Sequence, residues 1–136
     1  MALTSLNFTT KGGRIVRLRL DDGVSVEAYG RYFTLPLGTP LAVSVSDDYL
    51  VFVLDKEEDN LSVYTFDGSL AFTLADLGVS ETLVGGSLVS ASEAVLFLSR
   101  YPEADLAPDH TYYLATTRDY RMLWLDLDSR KVFYPK

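Results

Sequence analysis

The chain has 136 residues, 48% of them hydrophobic, and a formal net charge of −7. That length supports one domain with its own core, and the absence of cysteine excludes disulfide frameworks, thiolate metal sites and cysteine nucleophiles. Charge is uneven: residues 1–40 carry five Lys/Arg against three Asp/Glu, and residues 41–136 seven against sixteen. Such a surface is expected to repel nucleic acid and to favour a basic protein partner.

Taken in chain order, the first elements are strands near 3–10, 14–20, 24–29 and 31–36, where β-branched and aromatic residues alternate with polar ones. "KGGR" at 11–14 and Asp22-Gly23 read as turns between them. Strands are next expected near 41–46, 49–55, 61–66 and 69–74. Within "NLSVYTFDGSLAFTL", residues 60–74, Asp67-Gly68 reads as a two-residue hairpin loop, which would set Val63 opposite Phe72 and Thr65 opposite Leu70. One face then holds Leu61, Val63, Phe72 and Leu74, while the other holds Tyr64 and Phe66. Apolar groups on both faces imply a sheet buried on both sides.

The last third reads as strands near 86–90, 94–99, 111–117, 121–127 and 131–134, with "VGGS" at 84–87 as a turn. No stretch shows a convincing helical period; "EDNL" (58–61) and "SETL" (80–83) suggest at most single turns.

Shifting the chain by 45 residues lays Lys11 on Lys56, Asp22 on Asp67 and Gly23 on Gly68. A second shift lays Phe52 on Phe97, after which "YPEADLAPDHTYYLATTRDY" inserts extra chain beyond Arg100. The pattern rejoins at "MLWLDLDSRKVFY". Three repeats, approximately 1–38, 39–83 and 84–136, imply an all-β domain of antiparallel four-stranded meander sheets. A β-trefoil is the alternative.

The segment "PLAVSVSDDYLVFVLDKEEDNLSVYTFDGSLAFTLADLG" resembles one blade of an NHL-type β-propeller. The likeness lies in the Pro before a small-residue strand, "YLVFVLD", an Asn, "LSVYTFDG" and "LAFTL". It implies blade-like sheets, yet a closed ring takes 4–8 blades, and this chain holds about three. Each outer sheet is therefore expected to offer a half-apolar face to solvent, through which a homodimer or a foreign protein would complete the fold.

Little points to catalysis, and no enzyme activity is expected. His110 is the only histidine, and no sequence pattern supplies its triad partners. Asp126 and Asp128 could offer oxygen ligands to calcium, but the EF-hand spacing is absent. "KGGR" and "VGGS" lack the ending of a phosphate loop. No metal and no cofactor are expected.

Binding features are clearer. Asp47, Asp48, Asp55, Glu57, Glu58 and Asp59 bracket one hairpin as an acidic cluster. The inserted segment adds Tyr101, Glu103, Asp105, Asp109, His110 and Tyr112, a loop of the kind that carries recognition on a rigid scaffold. Trp124, among alternating strand residues, reads as core.

The leading expectation is a non-catalytic protein-binding module, similar in size and charge to acidic immunity proteins that neutralise basic toxins or nucleases. The alternative is an oligomeric propeller-type protein binding a small ligand or carbohydrate. The N-terminal residues lack the basic and apolar regions of a secretory signal, and no apolar run approaches the length of a membrane span, so a cytoplasmic location without membrane attachment is expected.

Overall fold

Alternation with a period of two dominates this sequence, and strands follow it almost throughout. The structure, a computed structural model, describes residues 5–21, 23–102, 104 and 106–134. The first sheet is β1 (Ser5–Thr9), β2 (Ile15–Arg19), β3 (Val24–Ala28) and β4 (Arg31–Leu35). The second is β5 (Pro40–Val45), β6 (Leu50–Leu54), β7 (Leu61–Tyr64) and β8 (Leu70–Thr73). The third is β9 (Leu83–Val89), β10 (Tyr112–Thr117), β11 (Met122–Asp126) and β12 (Lys131–Phe133). Each is an antiparallel meander whose strands lie in chain order. Among the described residues, strands pair only within their own sheet, which rules out the trefoil, where different repeats would close a shared barrel. Residues 3–4 of the first expected strand lie outside the described residues.

The second sheet is packed between the other two. Val51, Val53, Leu61, Val63 and Phe72 join Leu83, Tyr113, Ala115, Leu123 and Leu125 in one core. Leu50, Phe52 and Tyr64, on the opposite face, join Val16, Leu18, Val24 and Val26 in a second. β6 and β7 are thus apolar on both faces because both faces are covered, as the hairpin pattern implied.

The hairpin loop itself differs from expectation. Val63 does face Phe72, but Tyr64 faces Leu70 across a register shift. The Gly68 amide donates to the Thr65 carbonyl and the Thr65 amide to the Ser69 carbonyl, so three residues, 66–68, make the loop. Gly68 sits at φ 85°, where glycine closes such loops most easily. The Asp67 carboxylate accepts from the Ser69 amide at 3.0 Å and from the Thr65 hydroxyl. That anchoring favours the wider loop over a two-residue turn.

Three further expectations are corrected. Residues 94–99 are not a strand but part of helix α1, Ala91–Leu98, so laying Phe97 on Phe52 does not hold. Ser90 caps this helix by accepting from the Glu93 amide, and Ser90 with Glu93 three residues on has the spacing of a capping box. Ala94 and Leu98, four apart, bury one stripe of it. The inserted chain therefore begins at Ser90 rather than after Arg100, and runs to Thr111 between β9 and β10. "EDNL" and "SETL" form no helical turn; a 3-10 turn occupies Ala75–Leu77 instead. "VGGS" is no turn either, since Gly85 and Gly86 lie within β9 opposite Thr116 and Ala115.

Of the two outer faces expected to be half-apolar, the first sheet's exposes Ile15 and Tyr32 beside charged groups, whereas the third sheet's is covered. The first sheet turns Arg17, Arg19 and Glu27 outward between its buried residues. The outer face of the third sheet is covered by the insertion: Ala94, Leu98, Tyr112, Trp124 and Phe133 form a third core. Trp124 stacks on Phe97 at 5.0 Å between ring centroids. The insertion thus closes one end of the stack, while the first sheet presents its outer face to solvent. Among the described residues, no helix is long and apolar enough to cross a membrane.

Candidate functional site

β1, β5 and β9 run to one end of the stack, and the turns after them meet there. A mouth of about 480 Å³ opens between Thr10 and Lys11 after β1, Ser46 to Asp48 after β5, Ser90 before α1, and Asp109 and His110 of the insertion. Hydrogen bonds bind these turns together. The Asp47 carboxylate accepts from the Gly12 amide at 3.2 Å, and the Tyr29 hydroxyl donates to the Asp47 carbonyl at 2.9 Å. The Tyr49 hydroxyl donates to Asp128 Oδ1 at 2.8 Å, linking the second sheet to the third. Burial, followed by that bond and the charges of Asp128 and Asp48, pushes the Tyr49 phenol up to about 12.

His110 is held from behind by a buried carboxylate. Its Nδ1 lies 2.7 Å from Asp126 Oδ2, and the Asp126 side chain is fully buried while the imidazole is 29% exposed. Asp126 Oδ1 accepts from the amides of Asp128 and Ser129 at 3.0 Å each, a local turn that keeps the carboxylate in place. Asp128 Oδ2 accepts from the Thr111 amide at 2.6 Å.

The three side chains, His110, Asp126 and Asp128, bring potential metal ligand atoms within 4.8 Å of one another. Their oxygens are engaged by backbone amides, by Tyr49 and by the imidazole, so the arrangement works as a hydrogen-bonded clasp on the insertion. Among the described residues no hydroxyl is hydrogen-bonded to His110. With Nδ1 facing Asp126, Nε2 is the nitrogen left for a ligand.

The hydrogen bond to Asp126 raises the His110 pKa above its ordinary value, assisted by the charges of Asp126, Asp128 and Asp109 and opposed by burial. A histidine whose folded pKa exceeds its unfolded one adds stability at acidic pH, and loses that contribution as pH rises through the folded value. We expect His110→Gln to cost more stability at pH 5 than at pH 8, as read by thermal melts. Equal losses at both values would show that the ionised clasp does not form.

The expected acidic cluster is split. Asp47 and Asp48 precede β6 and lie at the mouth, whereas Asp55, Glu57, Glu58 and Asp59 follow it. The five residues of β6 set the two groups roughly 17 Å apart. Glu57 at the far end accepts from Arg118 Nη1 at 2.7 Å, and that bond lowers its pKa. Asp59 accepts from the Ala75 amide at 2.6 Å. Asp55 and Glu58 are exposed.

In the insertion, Asp109 and His110 reach the mouth. Tyr101 is half-buried against Phe97, with ring centroids 6.0 Å apart. Tyr112 is no surface residue: it is fully buried, and its hydroxyl donates to the Ala107 carbonyl at 3.1 Å. Glu103 and Asp105 lie outside the described residues. Lys11, Ser90 and the clasp of Asp126 with His110 were not singled out from sequence as parts of one site. Their meeting depends on how the three sheets stack.

Compared with known proteins, the chain matches no family model and no curated protein.

Proposed function

We propose that the protein is a non-catalytic binding module that holds a basic protein partner at the mouth. The observation that supports this is the convergence of Asp47, Asp48 and Asp109 around one concavity, opposed there by Lys11 and by His110 when it is protonated. Carboxylates on turns from separate sheets suit an arginine or lysine side chain inserted from a partner. Val45, Leu88, Val89 and Pro108 supply apolar walls for the stem of that side chain. His110, clasped by Asp126 and without a hydroxyl neighbour, is better suited to positioning a partner than to activating a nucleophile.

The same reading treats the three sheets as blade-like, with β1, β5 and β9 as inner strands, and gives the module the role of an acidic inhibitor in the cytoplasm. An immunity-type protein facing a basic toxin or nuclease fits that chemistry by analogy of charge and size. A ring closed by several copies has less to recommend it, because the outer face of the third sheet is covered and that of the first carries arginines that are unpaired among the described residues.

Surface plasmon resonance against a panel of immobilised basic proteins tests the proposal. We expect binding whose association rate falls by at least about tenfold between low and physiological salt. Asp47→Asn/Asp48→Asn should weaken that binding by a similar factor while leaving the melting temperature nearly unchanged. Salt-indifferent association, or full binding by the double variant, would overturn the reading.

A further inference from the structure

The outer face of the first sheet carries a second concavity, chemically opposite to the mouth. Two adjoining depressions of about 580 and 400 Å³ share Arg17, Glu27 and Tyr32, and so form one trough across the sheet. The trough continues past Ile15 and Arg31 on one side and past Arg19 on the other. Register explains the arrangement: Arg17 stands between Asn7 on β1 and Glu27 on β3, and Glu27 faces Tyr32 on β4. Tyr32 is 66% exposed, a large aromatic surface left open to solvent.

Three arginines against one glutamate give this face a positive charge within a chain of net charge −7. Among the described residues none of Arg17, Arg19 and Arg31 has an ion-pair partner. Arginines elsewhere are engaged: Arg118 and Arg121 with carboxylates, and Arg14 over the Tyr29 ring at 4.6 Å. Among the described residues, the arginines with neither an ion pair nor a ring contact are thus concentrated in the trough.

We propose that this trough docks an extended acidic polypeptide segment carrying carboxylates at alternate positions. Arg17 and Arg19 are two residues apart on one strand and point to the same face, which spaces them by roughly 6.7 Å. An extended ligand repeats its own same-side groups at that interval, so successive carboxylates meet successive guanidinium groups, each able to make a bidentate contact. Tyr32 supplies an apolar wall, and Asn7, Ser5 and Ser25 offer hydrogen bonds along the floor.

A single-stranded nucleic acid would find matching charge but a poor platform. Sheets that bind single strands stack two or three bases on aromatic side chains, whereas among the described residues Tyr32 is the one exposed aromatic lining this trough, Tyr29 being half-buried. The strongly negative remainder of the chain repels a long polyphosphate more than a short acidic peptide.

The test is fluorescence anisotropy with a labelled peptide of alternating glutamate and threonine. Its comparators are a peptide of the same composition in two blocks and an oligothymidylate of similar length. We expect the alternating peptide to bind best, and Arg17→Glu/Arg19→Glu to weaken it by at least about tenfold. Both arginines are exposed, so the variant's melting temperature should stay close to that of the parent. Asp47→Asn/Asp48→Asn, at the mouth, should leave peptide binding intact, which separates this surface from the one proposed above. No binding of the alternating peptide, equal binding by the charge-reversed variant, or tighter binding of oligothymidylate would each overturn the proposal.

Discussion

Gly86→Ala will destabilise the protein by about 3 kcal/mol, at the upper end of the cost of overpacking a core. A Cβ at this position would lie 2.5 Å from Tyr113 Cε1 and 2.6 Å from both Cζ and the hydroxyl oxygen. Tyr113 is fully buried, packed among residues of the second and third sheets. Burial pushes its phenol up to about 12, opposed by Ser44. The ring has no solvent to swing into, so β9 itself would have to move. In a domain of this size the loss corresponds to a fall of about 10 °C in melting temperature. Gly85→Ala provides the control, because nothing lies within 4 Å of a Cβ there. Tyr113→Leu should restore part of the Gly86→Ala loss by making room, a coupling that a double-mutant cycle measures. Equal effects of the two glycine substitutions would show that the ring does not occupy this space.

Asn60→Ala should cost about 2–4 kcal/mol, because it strands several polar groups at once. The Asn60 side chain donates to the Leu83 carbonyl at 2.6 Å and to the Leu54 carbonyl at 3.1 Å, and accepts from the Leu83 amide at 2.9 Å. Asn60 is 1% exposed and Leu83 equally buried, so water cannot readily replace these bonds. They also tie the second sheet to the first strand of the third, so their loss loosens a junction as well as a loop. Asn60→Asp retains the acceptor for the Leu83 amide but turns an anionic oxygen toward two carbonyls. Burial would raise the folded pKa of such an aspartate above its unfolded value. Its penalty should therefore be largest at neutral pH and shrink as pH falls. Denaturant melts at pH 7 and pH 4 check this; a penalty that is constant or grows on acidification would refute the assignment.

Much of the architecture was legible because burial on both faces leaves its mark on a strand. Val51, Phe52 and Val53 are consecutive and all apolar, as a strand covered on both sides requires, and Asp67-Gly68 announced a hairpin although not its loop length. The helix was hidden because Val95 to Leu98 form a continuous apolar run, which periodicity alone does not distinguish from a buried strand. Its signal was instead the spacing of Ser90 and Glu93, which orders the first turn. "VGGS" was misread for a related reason: two glycines ordinarily punctuate a chain, and only the Tyr113 ring explains Gly86 inside a strand. The mouth was half visible. Asp47, Asp48, Asp109 and His110 stood out as polar groups in turns, but their joining to Lys11 and Ser90 depends on stacking that no local pattern encodes. Splitting of the acidic cluster, by contrast, could have been read from the sequence, since a strand of five residues separates Asp48 from Asp55.

The ends of the stack bear on how such a protein can change. In a closed wheel the number of units is dictated by the angle each one subtends, and a unit cannot be lost without breaking the circle. Here a charged sheet terminates one end and a helix-bearing insertion terminates the other, in the manner of the capping units of a linear repeat array. Interior sheets would then be the modular part and the two ends the indispensable part, so that a stack of this kind could be lengthened from its middle.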